Sequence, residues 1–523
     1  MGKWVAAGAG MLGMVALTGA VSAQSSDPLL DTLIKKGILT QDEAKDIKAE
    51  ADASQSNNVV AMPPSKWKIS DGIKSVELFG DLRLRYEYRE AEAANDDAVT
   101  QRRMRYALRL GLRGDLTDDF YYGFRLDTAS NPRSPWATFG NSTTAGAGPY
   151  GKSTGTIYVG QLYTGWHPTE WLDITVGRMP QPLYTTPMVW DSDFNPEGAV
   201  EHLKYTIGDA DLFANVGEFL YQEFDPGSAS GGFGFNGLVG QNPENIWQFP
   251  IQGGFTYHIT TNISAKAGAT IYQYMGVQPS TVSSASVTSP FYGDPFVGEG
   301  AYTGAPGTVN GYSGFGTSGA IIGNQSAGFP LNQVGLNHLL VLEIPFELNV
   351  KFDHVDAKLF GDYAYNFEGR QRAEDAAAGY AAYLNFQRTL GPVTVTPFSP
   401  QTSDCTAYQV GFAVGSKDSL GLVYGGTTHA NAWEFRTYWQ HIEQYALDPN
   451  LLDSDFFEGR GNLEGVYAAF AYGFSDNMIG TIRGGYASRI NDTLGTGGSN
   501  QDIPQVNPIQ RYQLLQMDLT FRF

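Results

Sequence analysis

Arginine recurs in this sequence at a spacing that could act on anions. Arg83 and Arg85 lie in DLRLRYEYR, Arg103, Arg105, Arg109 and Arg113 in RRMRYALRLGLRG, and Arg125 in FYYGFRLDTAS. Nine of the twenty arginines fall between positions 83 and 125. A guanidinium pairs bidentately with carboxylate or phosphate, so such a ladder, left unopposed, attracts oxyanions. The competing reading is that the arginines pair with nearby Asp and Glu and only build a wall. A second charged group, Asp191, Asp193 and Glu197, lies in WDSDFNPEG. Asp191, Asp193 and Asn195 match the first three ligand positions of a calcium loop. Pro196 replaces its glycine, however, and His202 stands where its bidentate glutamate belongs, so no metal is expected.

Other motifs fail on context. GAGPYGKS, Gly146 to Ser153, matches a phosphate loop, but a strand, TIYVGQLY, follows it instead of the helix that chemistry requires. GFGFNG, 232 to 237, lacks the strand-turn-helix setting of a dinucleotide site. GKSTG has no elbow to expose Ser153 as a nucleophile. His167, His258, His354 and His429 fall at separate turns. Neither an enzyme nor a cofactor is expected.

The ladder sits in an acidic chain of 523 residues with formal net charge -20, 63 Gly and 13% aromatics. That charge argues against nucleic acid as a partner, and the single cysteine, Cys405, excludes an internal disulfide. Residues 1–23 read as a cleaved signal peptide: Lys3, an apolar run from Trp4 to Leu17, then Val21-Ser22-Ala23. Residues 24–70 read as a small helical hairpin and linker. Pro28 opens a first helix, Gly37 stops it, and Thr40 with Glu43 caps a second. Self-packing and tethering to an envelope component are both open for that hairpin.

From Val76 onward the pattern has period two. Leu82, Leu84, Tyr86 and Tyr88 alternate with Asp81, Arg83, Arg85, Glu87 and Arg89, which puts the two sets on opposite faces of a strand. The closing LLQMDLTFRF does the same, with Leu515, Met517, Leu519, Phe521 and Phe523 on one face. Short links such as HPTEW, GDAD, TTN, DHVD, THAN and SDN alternate with long polar loops, the longest spanning 276 to 335. Short turns at one end and long loops at the other mark a transmembrane antiparallel β-barrel. The expected strands are 76–90, 101–116, 120–128, 156–167, 171–178, 198–207, 211–224, 247–259, 263–275, 336–352, 357–367, 405–424, 431–446, 464–474, 478–490 and 511–523. That is sixteen, with eighteen as the alternative, over a barrel domain of 71–523. Such a barrel encloses a water-filled lumen, and an arginine on the lipid face costs ~2–4 kcal/mol, so the arginine rows should face inward.

The segments FGDLRLRYEYR, RRMRYALRLGLRG, FYYGFRLDTAS, VGRMPQPLYTTPMVWDSDFNPEG and LLDTLIKKGILTQDEA resemble the outer-membrane porins of Gram-negative bacteria. The likeness runs over nearly all of the chain after the signal peptide. It implies a passive diffusion channel for small hydrophilic solutes and ions in outer-membrane lipid, a homotrimer, and a terminal Phe523 read by the barrel-assembly machinery. If the loop after Arg178 folds inward, Asp191, Asp193 and Glu197 would face the arginines across a constriction. Glu343 and Glu347 could offset the ladder and favour cations. The alternative function is a structural or adhesive envelope barrel without transport.

Overall fold

In the computed structural model of the chain, the described residues are 70–93, 96, 98–129, 134–140, 156–223, 245–275, 336, 338–374, 404–426, 428–492, 494–496, 502–503, 506 and 508–523. The expected signal peptide, the helical hairpin and the motifs at 146–155 and 232–237 lie outside them.

Sixteen strands form the wall: β1 (Glu77–Glu92), β2 (Ala98–Asp115), β3 (Phe120–Ala129), β4 (Thr156–Thr169), β5 (Leu172–Arg178), β6 (Glu197–Ile207), β7 (Ala210–Gln222), β8 (Ile246–Thr260), β9 (Ile263–Met275), β10 (Leu340–Lys351), β11 (Val355–Asn366), β12 (Thr406–Ser416), β13 (Trp433–Ile442), β14 (Leu463–Ser475), β15 (Met478–Arg489) and β16 (Arg511–Arg522). Each pairs antiparallel with its sequence neighbours. β1 also pairs with β16 from Asp81 opposite Arg522 to Glu92 opposite Arg511. The ring is therefore closed, which leaves no unpaired sheet edge. A two-residue strand, Ala137–Thr138, adds to β2 beside Arg105 and Tyr106.

The faces follow from alternation. Leu82, Leu84, Tyr86, Met104, Leu108, Leu110 and Leu112 are exposed on the outside, whereas Arg85, Glu87, Arg89 and Arg105 are buried inside. Apolar outside and ionic inside is the reverse of a soluble protein, and it suits hydrocarbon around the barrel. Exposed aromatics gather where the short turns lie: Trp166, Trp171, Tyr205, Tyr257, Phe352 and Phe474. Phe120 stacks on Trp166 at 5.7 Å, and such amphipathic rings suit the level of the headgroups.

The sixteen expected strands are present, with one correction. The strand expected over 405–424 stops at Ser416. Asp418 has φ 56 and Gly421 φ 104, left-handed conformations that a strand cannot continue through. Leu422–Tyr424 instead form a short 3-10 helix, with Leu422 and Val423 buried. The apolar run that read as strand faces the barrel interior from a turn. The interior is accordingly packed in part, since Met188, Trp190, Leu422, Phe456 and Phe457, all on connections, belong to one buried cluster with wall residues such as Tyr438 and Tyr467.

Candidate functional site

The register of β1 explains how its charges are held. Asp81 stands opposite Arg109, Glu87 opposite Arg103, and Arg85 opposite both Arg105 on β2 and Asp518 on β16. Arg85 donates to both oxygens of Asp518, Nε at 2.7 Å and Nη2 at 2.9 Å, and its Nη1 donates to Asp455 at 2.8 Å. Its guanidinium also lies 4.0 Å from the Trp136 ring. Arg89 donates to Glu87 at 3.1 Å and comes within 3.2 Å of Asp502. Arg103 donates to Glu87 through Nε at 2.6 Å and sits 2.6 Å from Asp502.

The remaining arginines of the ladder pair locally. Arg83 holds Asp81 at 2.7 Å, Arg125 holds both oxygens of Asp127 at 2.7 Å, and Arg113 pairs with Glu77 at the exposed turn end. Arg105 differs. It is 5% exposed, and among the described residues its nearest carboxylates are Glu87 at 3.8 Å and Asp502 at 4.0 Å and its hydrogen bond is to Ser134 Oγ at 3.5 Å. The ladder is thus opposed nearly throughout, and wall-building pairs occupy most of it.

The loop between β5 and β6, residues 179–196, reaches across the interior face. Tyr184 N–H donates to Gln252 on β8, Thr185 Oγ1 to Glu343 on β10 at 2.6 Å, and Thr186 Oγ1 to Asp362 on β11 at 2.5 Å. Trp190 packs edge-on against Phe219 and beside Tyr272. Arg109 donates to Asp193. Among the three carboxylates expected to face the arginines, only Asp193 does so. Asp191 turns away, accepting from Asp193 N–H at 2.9 Å and from Ser454 N–H and Oγ at 3.3 Å. Burial and the neighbouring Asp193 and Asp453 raise its carboxyl well above the usual range. Glu197 opens β6 and pairs with Arg178 at the end of β5. The reason is register: Arg178 and Glu197 are directly opposed in the ladder.

Opposite the arginines stand Glu343 and Glu347, both inward on β10. Glu343 is fully buried and accepts from Thr185 and from Tyr272 at 2.5 Å, so it fastens the loop to the wall. Glu347 pairs with Lys358 at 2.8 Å. Charges of both signs therefore line opposite walls with the loop between them.

Several residues that the sequence did not single out complete the site. They come from the β13–β14 connection (443–462), the β15–β16 connection (490–510), β15 and β16. Asp455 touches Arg85 and lies 3.6 Å from Arg89; burial works against its charge, but Arg85, Arg89 and Arg483 outweigh burial and hold it well below the usual range. Its neighbour Asp453 has the reverse balance, with burial and the Asp455 charge pushing it up to about 7. Asp502 is held down by Arg89, Arg103 and Arg105 against burial. Arg483 donates to Asp518. Alternation along β15 and β16 was the only available signal for Arg483 and Asp518; nothing local marks Asp453, Asp455 or Asp502, which become neighbours of the ladder only when their loops fold in.

Two cavities meet at Asp193. One of about 310 Å³ lies toward the loops and includes Trp190, Tyr221, Gln248 and Asn450. The other, about 80 Å³, lies among Arg83, Arg85, Tyr424, Asp453, Arg483 and Asp518. The smaller of the two is ringed by both charge signs.

Comparison with curated proteins finds no match. Solved structures similar to the chain include an anion-selective porin from Comamonas acidovorans, at 10% identity over 86% of this chain and 99% of that one, TM-score 0.40. Others are Pseudomonas aeruginosa OccK5 (OpdH), at 10% identity over 87% and 100%, TM-score 0.36, and Vibrio cholerae OmpT, at 8% identity over 87% and 100%, TM-score 0.34. At such identities and scores these likenesses carry no functional argument. The family profile described as "Putative porin" matches residues 94–523, most of the chain and all of the barrel after β1. By that match the chain belongs to this porin family.

Proposed function

We propose that the chain is an outer-membrane channel through which small hydrophilic solutes and ions diffuse passively. The observation that carries this reading is the closed sixteen-strand ring with leucines outside and charges inside, because an apolar outer face suits hydrocarbon and a ring of this size with an ionic inner face suits a polar lumen. In this reading residues 1–23 are a signal peptide removed on export, 24–70 are a periplasmic hairpin and linker, and 71–523 are the barrel. The short turns lie in the periplasm and the long loops outside. Barrel-assembly machinery reads the terminal Phe523, and three copies associate. The channel is not an enzyme.

The lumen favours anions weakly. Around Arg85, the guanidiniums of Arg85, Arg89, Arg103, Arg105, Arg460 and Arg483 face the carboxylates of Glu87, Asp455, Glu458, Asp502 and Asp518. Six against five leaves one positive charge in excess among the described residues of that cluster, and Arg105 is the arginine whose carboxylates stand farthest off, Glu87 at 3.8 Å and Asp502 at 4.0 Å. A structural barrel is the second reading, favoured by the connections packed inside the lumen. Purified protein in a planar bilayer tests both. Discrete conductance steps with a small reversal potential of anion-preferring sign are expected, and absence of conductance rejects the channel.

A further inference from the structure

At the end of the barrel where the other connections span two to four residues, the β12–β13 connection runs from 417 to 432 and turns into the lumen. Leu422 is fully buried and Val423 is 1% exposed. Gly421 and Gly425, at φ 104 and φ 78, supply the left-handed conformations that bend the segment inward. Glu434 Oε2 accepts the N–H groups of Gly421 and Val423, each at 2.9 Å, while its other oxygen pairs with Arg436. Arg483 donates to Val423 O at 2.8 Å and Arg522 to Gly426 O at 2.7 Å. Arg436 lies 4.7 Å from the Tyr424 ring. Side chains from three strands therefore grip the segment by its backbone, and hydrogen bonds to charged groups are the strong kind.

We infer that this inward turn is a second selectivity element of the pore, in which Leu422 to Gly425 narrow the passage beside Arg83 and set the upper size of the solutes that pass. Arg83 Nη2 lies 4.0 Å from where a Cβ on Gly425 would be, so little room separates the turn from the arginine wall. The cavity they share is about 80 Å³. Tyr424 is 46% exposed and presents its ring to that space, so the turn controls passage by side-chain bulk as well as by position. The inference rests on the channel reading.

The test is single-channel conductance of the full chain, with a series of poly(ethylene glycol) sizes to report the cut-off. Three proteins are compared: wild type, Tyr424→Ala, and a variant with Leu420 to Gly425 replaced by Gly-Ser. The replacement is expected to raise conductance roughly two-fold or more and to admit larger polymers, with Tyr424→Ala between, because resistance concentrates at the narrowest section. A silent wild type beside a conducting replacement also supports the inference. A conducting wild type with both variants unchanged in conductance and cut-off overturns it. Silence of all three overturns the channel reading and the inference with it, a result distinct from unchanged conductance. Should the replacement not assemble, Tyr424→Cys in a Cys405→Ser background decides: a charged thiol reagent is expected to cut the current, and an undiminished current overturns the inference.

Discussion

Arg105 and Asp453 are two described residues of the charged cluster with loose pairing. Arg105 faces Arg85 across the β1–β2 pair, and Arg85 has already taken Asp518 and Asp455, so Arg105 is left with carboxylates at 3.8 Å and 4.0 Å. Its charge is therefore the most loosely paired of the cluster. Arg105→Glu is expected to move the reversal potential in a salt gradient toward cations; an unchanged potential would reject Arg105 as the selective charge. Arg109→Glu should act differently, because it sets a carboxylate against Asp193 and loosens the inward loop as well. Asp453 lines the narrow cavity and has been pushed up to about 7 by burial and the Asp455 charge. With a folded value raised above the free one, the folded protein binds more protons between about 4 and 7, so this group lowers stability as pH rises through that window, with the full cost present above it. In the pore, Asp453 gains a negative charge between pH 6 and 8. The reversal potential of wild type should drift toward cations over that interval, and in Asp453→Asn the drift should shrink; equal drift in both would remove Asp453 from the lumen.

At the scale of the element, the strand dictates the cost of a charge. Arg109 and Leu108 are neighbours on β2, one inside with Asp193 and the other exposed outside. Leu108→Arg therefore places on the lipid face the side chain that its neighbour carries without penalty, at a cost of ~2–4 kcal/mol near mid-depth. A lower denaturant midpoint for refolding into bilayers is expected, and no change would put β2 in the wrong orientation. The connections obey other rules. The 179–196 loop is held by two threonine hydroxyls on Glu343 and Asp362 and by Trp190 in a buried cluster. The 417–432 turn is held through its backbone by Glu434, Arg483 and Arg522. In both, the anchor is a buried charge on a strand, so the wall positions the filter.

For the whole molecule, closure is the decisive contact. Phe523 N–H and C=O exchange hydrogen bonds with Gly80, at 3.1 Å and 2.9 Å, and twelve register pairs join β16 to β1. Deleting residues 511–523 leaves β1 and β15 with open edges in a solvent that offers them no hydrogen bonds. The truncated chain is expected to lose the heat-modifiable gel migration of a folded barrel, and retention of it would show that the ring closes without β16.

The strand text was readable because two solvents act on one wall. Every lipid-facing position must be apolar and every inward one can be ionic, so the sixteen strands, the faces of the arginines and the disposition of turns and loops follow from alternation and spacing alone. The strand expected to run on to 424 misled for the same reason, since Leu420 to Tyr424 are apolar for the interior and not for lipid. Sequence also brought Asp191, Asp193 and Glu197 together as one acidic group. Folding gave them different partners, because Arg109 holds Asp193, Ser454 donates to Asp191 and the strand register gives Glu197 to Arg178. How the arginines are shared among carboxylates depended on Asp455 and Asp502, and the inward turn of the 417–432 connection was equally hidden. These come from connections remote in the chain, and their positions are fixed by buried ion pairs and backbone hydrogen bonds that no local pattern of residues encodes.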